Sequence, residues 1–219
     1  MQNITDHTSY WDHYAQGVAD ESREEALAAA FGWTQYDGHG PGAELLGQPH
    51  TALELGFGRG NAVAALAANG VQAHGIDLSS VQCAKARERW GELAGARFIE
   101  GDVLDYLARP GEPYDTVYSI WGALWFTDPE ELLPLIRDRL APGGRLVFSQ
   151  APAVPGSTGI QGMYGAGFKG RRTWIYRWAY EPEGWADILT KHGYRDIHAQ
   201  VLAAPDPENV GTLIVEARS

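Results

Sequence analysis

Glu54, Gly56, Gly58 and Gly60 stand at strict two-residue spacing within the stretch Leu53–Asn61. The apolar run from Ala52 to Leu55 delivers the acid and then the glycines, and Ala62–Ala67 reads as a helix opening at the last of them. A strand feeding a glycine turn and then a helix brings bare backbone and unpaired helical N–H groups against a ligand. A dinucleotide fingerprint, G-x-G-x-x-G, would need glycine at position 61, where this chain has Asn61. A glycine turn of some other α/β protein remains the plainer reading.

Further positions extend the pattern. Gly75-Ile76-Asp77-Leu78-Ser79 closes an apolar run with a carboxylate 17 residues past Gly60, where an acid can accept both hydroxyls of a ribose. Gly101-Asp102-Val103 closes the next run, and Ser119-Ile120-Trp121 the one after. Taken singly, Asp77 and Asp102 could be solvated loop carboxylates. Among seven histidines, His13 beside Asp12 is the candidate general base, whereas His192 and His198 read as surface.

Aromatic residues recur in three places. Tyr10, Trp11 and Tyr14 are spaced to share a helix face, and Trp121, Trp125 and Phe126 follow one apolar run. Trp174, Tyr176, Trp178 and Tyr180 alternate, which in a strand puts them on one side. Eight tryptophans in 219 residues suggest a flat aromatic or otherwise apolar ligand, or a cation held by rings. Core packing or a homodimer interface would use rings equally well. Trp90 and Trp185, in helical patterns, read as core; Trp121, Tyr14 and Tyr164 read as pocket.

The elements that must position these residues alternate regularly. Helices are expected from Thr5 and, behind Ser22-Arg23-Glu24-Glu25, through Ala30, with a linker over Asp37–Gln48. Strands are expected at Thr51–Leu55, Gln72–Ile76, Ala96–Ile99, Tyr114–Ile120 and Arg145–Ser149. Helices fall between them at Asn61–Ala68, Ser79 or Ser80 to Trp90, Val103–Leu107 and Pro129–Leu140. This rhythm predicts a parallel sheet covered on both faces. Six glycines within 152–172 suggest a mobile loop. Beyond it come a helix over Pro182–His192 and strands at Ile197–Leu202 and Thr212–Ala217, paired antiparallel.

Taken in order, these motifs, with Tyr114–Ser119 and the turn Leu140-Ala141-Pro142-Gly143-Gly144-Arg145-Leu146-Val147, resemble class I S-adenosylmethionine-dependent methyltransferases over residues 50–219. The resemblance implies a Rossmann-like, doubly wound, mostly parallel α/β sheet with a C-terminal antiparallel strand pair and an N-terminal helical cap. It divides the chain into a cap, 1–48, and a methyltransferase domain, 49–219, with a glycine-rich lid at 152–172. S-adenosylmethionine is the implied cofactor. Glu54 would hold its methionine amino group through water or the turn amides, and Gly56, Phe57, Gly58 and Gly60 would let the backbone close in. Asp77 and Leu78 would meet the ribose, Asp102 the adenine amino group and Val103 a ring nitrogen, with Ser119 and Trp121 completing the set. Tyr10, Tyr14, Trp125, Tyr164 and Trp174 are the candidates for the acceptor, and His7 and His13 lie on the segment that family members fold over the site. The family has no fixed catalytic residue, because a base is needed only where the acceptor must lose a proton.

Composition narrows the partners. Hydrophobic residues make up 44% and charged residues 21%, with a net charge of −11 and no clustered Lys/Arg run, which argues against nucleic acid. The Asn/Asp-Pro-Pro-Tyr/Phe and Pro-Cys signatures of nucleic-acid methylation are missing too. The negative field favours a cation such as a sulfonium. Cys83 is the one cysteine, so neither an intrachain disulfide nor a cysteine zinc cluster is expected. No signal-peptide pattern opens the chain and no apolar run reaches the ~18 residues of a membrane span, so a cytoplasmic, metal-independent enzyme is expected. The expected function is methyl transfer to a small aromatic or apolar metabolite, by analogy one of secondary metabolism. A nicotinamide-dependent oxidoreductase and a non-catalytic S-adenosylmethionine-binding protein are the alternatives.

Overall fold

The structure, a computed structural model, describes residues 7–17, 21–165 and 173–219, without the side chains of 163–165, 173 and 174. Strands β1 (Thr51–Leu55), β2 (Gln72–Asp77), β3 (Ala96–Glu100), β4 (Tyr114–Ile120) and β5 (Leu140–Gln150) pair in parallel. The last two strands, β8 (Arg195–Leu202) and β9 (Thr212–Arg218), complete the order β3-β2-β1-β4-β5-β9-β8, with β9 antiparallel to both neighbours. The order reverses between β1 and β4, and open α/β sheets bind ligands beyond the carboxyl ends at such a point.

Helices cover both faces. On one face α5 (Val103–Leu107), α7 (Pro129–Arg139) and α8 (Pro182–Lys191) bury Leu53, Leu55, Val117 and Leu146. On the other, α2 (Arg23–Ala28), α3 (Asn61–Ala68) and α4 (Ser80–Trp90) bury Ala52, Ala73, Trp33 and Trp90. Trp90 and Trp185 are wholly buried, as their helical patterns suggest. The twofold alternation of β1 puts Glu54 on the same face as Ala52, beneath α3, where an acid has little water.

The N-terminal helix α1 (His7–Gln16) lies against α4. Asp12 accepts the Ser79 hydroxyl at 2.6 Å and the Val81 amide at 3.3 Å, and the Lys85 ammonium donates to the Ala15 carbonyl at 2.8 Å. The expected capping position of Thr5 lies outside the described residues. In α2 the capping box is present, the Glu25 amide meeting Ser22 Oγ at 3.1 Å and the Ser22 amide meeting Glu25 at 2.9 Å.

Three segments depart from the expected elements. Residues Gly159–Gly165, expected as loop, form β6, paired antiparallel with β7 (Thr173–Ala179). Glycine raised the loop expectation, but backbone pairing with an aromatic, β-prone partner strand decides the outcome. Ala123–Phe126 forms a short helix, α6, where no element was expected. The turn at Pro142–Gly144 sits inside β5, where the register against β4 shifts between Tyr114 and Thr116.

Candidate active site

A cavity of about 850 Å³ opens at the carboxyl ends of β1–β4, beneath α1 and beside β7. The glycine turn forms its floor. Gly56, Gly58 and Gly60 all have positive φ, at 80°, 52° and 73°, which L side chains adopt at a cost. Their reasons differ. A Cβ on Gly56 would stand 2.5 Å from the Ala123 amide nitrogen, and one on Gly60 2.5 Å from the Phe98 ring. At Gly58 the nearest atom would be Gln82 Nε2, at 3.9 Å, so open cavity reaches that backbone. A ligand can therefore approach the main chain at Gly58, while Gly56 and Gly60 are required by packing; Gly60 does not line the cavity.

Glu54 is buried and lines the cavity. The Tyr118 hydroxyl donates to it at 3.3 Å, and it takes the Val63 amide in the first turn of α3. Burial nonetheless dominates and raises its pKa well above the ordinary carboxylate value; the nearby Asp77 adds to this. An acid so placed gains strongly from an arriving cation. Asp77 accepts the Gly58 amide at 2.8 Å and the Ser79 amide at 2.9 Å, one on each oxygen. Its pKa is also raised, chiefly by burial, against those two bonds. Asp77 thus fixes the glycine turn and still offers lone pairs to the cavity. Asp102 caps α5 through the Leu104 and Asp105 amides, at 2.8 and 3.3 Å, and lines the cavity with Val103 and Leu78.

Trp121, just past β4, has φ 50°, an uncommon conformation for a residue with a Cβ. Its amide donates to the Ser149 carbonyl at 3.0 Å and its indole N–H to the Trp33 carbonyl at 2.9 Å, which hold the ring at the cavity wall. Strain of this kind concentrates at functional sites. The next residue, Gly122, has no room for a side chain, since a Cβ would lie 2.3 Å from the Leu55 carbonyl.

The other expected site residues divide. Phe57 and Tyr14 line the cavity. Ser119 does not; it is buried, donating to the Leu55 carbonyl at 2.8 Å and accepting the Leu124 amide at 3.3 Å, and so ties β4 to β1 and α6. Trp125 stands behind the wall, its ring 5.7 Å from Trp121 and under Arg177 at 5.3 Å. Tyr10 is half-buried against Trp11 and does not reach the cavity. Tyr164 and Trp174 face each other across the β6–β7 pair, but their side chains lie outside the described residues.

His13 is a correction. It is exposed and outside the cavity, about 200° around the helix from Trp11. The inward face of α1 carries His7, Thr8, Trp11 and Tyr14 instead, so His7 is the histidine that the cavity meets. Further lining residues not picked out from sequence are Gln82, Thr127, Asp128 and Glu131. Trp178 also lines the cavity, while Tyr176 on the same stripe is exposed. Cys83 is buried, and burial pushes its thiol up to about 12, so it is no nucleophile. Asn61, in place of the third dinucleotide glycine, sends its amide to Glu21 at 3.0 Å, and Glu21 also pairs with Arg59 at 2.7 Å. Among the described residues no group of three or more His, Cys, Asp or Glu could hold a metal ion, and no helix is long and apolar enough to cross a membrane.

A seven-stranded sheet of this order, with an acid near the end of β1 ahead of a glycine turn and carboxylates at the end of β2 and just past β3, defines a nucleoside-binding α/β enzyme class. Residues 52–144 match the family model described as a methyltransferase domain. A demethylmenaquinone methyltransferase of Thermus thermophilus is 30% identical over 174 residues, 77% of this chain and 74% of that protein. A trans-aconitate 2-methyltransferase of Paracidovorax citrulli is 36% identical over 96 residues, 43% of this chain; the chain spans only 36% of that relative's length. The solved Burkholderia thailandensis 1,6-didemethyltoxoflavin-N1-methyltransferase, with bound 1,6-didemethyltoxoflavin and S-adenosylhomocysteine, superposes with a TM-score of 0.65. That likeness covers 99% of this chain and 87% of the other at 20% identity, and speaks for the fold alone. The chain belongs to the class I S-adenosylmethionine-dependent methyltransferases. The nicotinamide alternative finds no support in these matches.

Proposed function

We propose that this protein transfers the methyl group of S-adenosylmethionine to a small acceptor with an aromatic or apolar body. The observation that carries the reading is the single cavity in which the Gly58 backbone, Glu54 and Asp77 meet the rings of Trp11, Trp121, Phe126 and Trp178. Bound S-adenosylmethionine supplies an electrophilic methyl group on a sulfonium. Glu54 would hold the methionine ammonium, Asp77 the ribose hydroxyls, and Asp102 with the Val103 amide the adenine edge. The rings of α1, α6 and β7 would exclude water and align the acceptor, and alignment alone supplies much of the acceleration of such a displacement. His7, rather than His13, would be placed to take a proton from an acceptor that must lose one. The relatives' named substrates, trans-aconitate and demethylmenaquinone, support a small-molecule acceptor, while its aromatic or apolar character rests on the cavity's rings.

Calorimetric titration with S-adenosylmethionine, S-adenosylhomocysteine and NADH tests the reading. Micromolar binding of the first two alone is the expected result, followed by labelled methyl transfer to a member of an aromatic acceptor panel. Binding of the cofactor with no transfer to any acceptor would favour a non-catalytic binding protein.

A further inference from the structure

We infer that the acceptor is an amine carried on that aromatic or apolar body; this deepens the methyl-transfer reading and rests on it. The cavity has five carboxylates on its wall, and the topology separates them. Glu54 and Asp77 stand at the carboxyl ends of β1 and β2 and Asp102 just past β3, where the cofactor would sit. Asp128 and Glu131 lie on the far side of the switch point, after β4, beside Phe126, Trp121 and Trp178.

Among the described residues neither of these two acids is spent on an ion pair. Asp128 uses only Oδ1, to cap α7 through the Glu130 amide at 2.9 Å, and Glu131 stands exposed at the mouth. Their neighbour Glu130, outside the cavity, is the one that takes Lys191, at 2.6 Å, and His192, at 3.1 Å. Among the described residues the cavity's lysine and arginine complement is Arg59 alone, already tied to Glu21. Two carboxylates with no ion pair among the described residues, lining one cavity with Phe126, Trp121 and Trp178, form the environment that an ammonium prefers, by charge and by cation–π attraction. A carboxylate-bearing acceptor would meet repulsion there.

The exchange then balances simply. The ammonium's proton passes to His7, the histidine on the cavity wall, and on to water, leaving the lone pair on nitrogen. A nitrogen–carbon bond forms as the carbon–sulfur bond breaks, its electron pair remaining on sulfur.

The test is calorimetry on protein saturated with S-adenosylhomocysteine. The titrants are tyramine, phenethylamine and tryptamine, each beside its des-amino counterpart, and trans-aconitate. At least one amine should bind tenfold or more tighter than its counterpart, and trans-aconitate should not bind. The double variant Asp128→Asn with Glu131→Gln should lose that preference while keeping its affinity for S-adenosylhomocysteine, which reports an intact fold. If every amine merely equals its counterpart, if trans-aconitate binds, or if the double variant keeps the preference, the amine assignment falls and methyl transfer stands. If S-adenosylhomocysteine itself fails to bind, the underlying reading falls instead.

Discussion

Glu54 is the residue at which burial and function pull in opposite directions. Its carboxyl keeps a proton to higher pH in the folded chain than in the unfolded one. Between the ordinary carboxylate pKa and that raised value the folded state binds more protons, so stability falls as pH rises through the window. Glu54→Gln should flatten this slope and raise the melting temperature of the free protein at alkaline pH, by roughly 2–4 °C per kcal/mol recovered. The same variant should weaken S-adenosylmethionine binding by tenfold or more, because the neutral amide cannot match an ammonium. In the wild type, affinity should drop as pH falls through the raised pKa; a pH-independent dissociation constant would remove Glu54 from the methionine end. The glycines offer a second contrast. Gly58→Val should lose some stability to the positive φ yet still fold, and lose cofactor binding, since its side chain enters open cavity. Gly56→Ala should lose stability outright, because its Cβ meets the α6 backbone at 2.5 Å. Thermal melts beside titrations would separate the two losses.

Among the elements, α1 is held by a few polar contacts rather than by the sheet. Asp12→Ala removes a cap that Ser79 and Val81 receive from another helix, worth about 1 kcal/mol, and should loosen cofactor binding about fivefold with little change in melting temperature. Proteolysis of α1 should quicken in parallel, and unchanged cleavage would show that Asp12 does not anchor it. Apart from the short α6, the strands and helices from β1 to β5 were legible in sequence because their signals are local: apolar runs, glycine turns and caps such as Asp128. Strand β6 was not, since its seven residues include Gly159, Gly162 and Gly165 and its order comes from pairing with a strand further along. The helical phase of α1 explains the missed histidine. Tyr10, Trp11 and Tyr14 do lie near one another, but the inward direction is set by Trp11 against Phe126, 4.8 Å apart, and this contact is distant in sequence. Asp128 and Glu131 were hidden for a similar reason: one reads as a helix cap, the other as a solvated first-turn acid.

At the scale of the molecule, 28 acidic residues against 17 basic ones give a chain that repels itself. Raising ionic strength from about 0.01 to 0.15 M shortens the screening length from about 30 to 8 Å and should raise the melting temperature by a few degrees. A flat salt profile would mean that the excess charge is well dispersed.

Three of the cavity's walls, α1, the end of β4 and β7, each present an indole, from Trp11, Trp121 and Trp178. Indole emission responds to nearby charge and to expelled water. The protein therefore carries its own optical gauge: cofactor entry, helix closure and acceptor docking should each leave a separate mark on tryptophan fluorescence. Stopped-flow mixing could then order these events in time without attaching any dye.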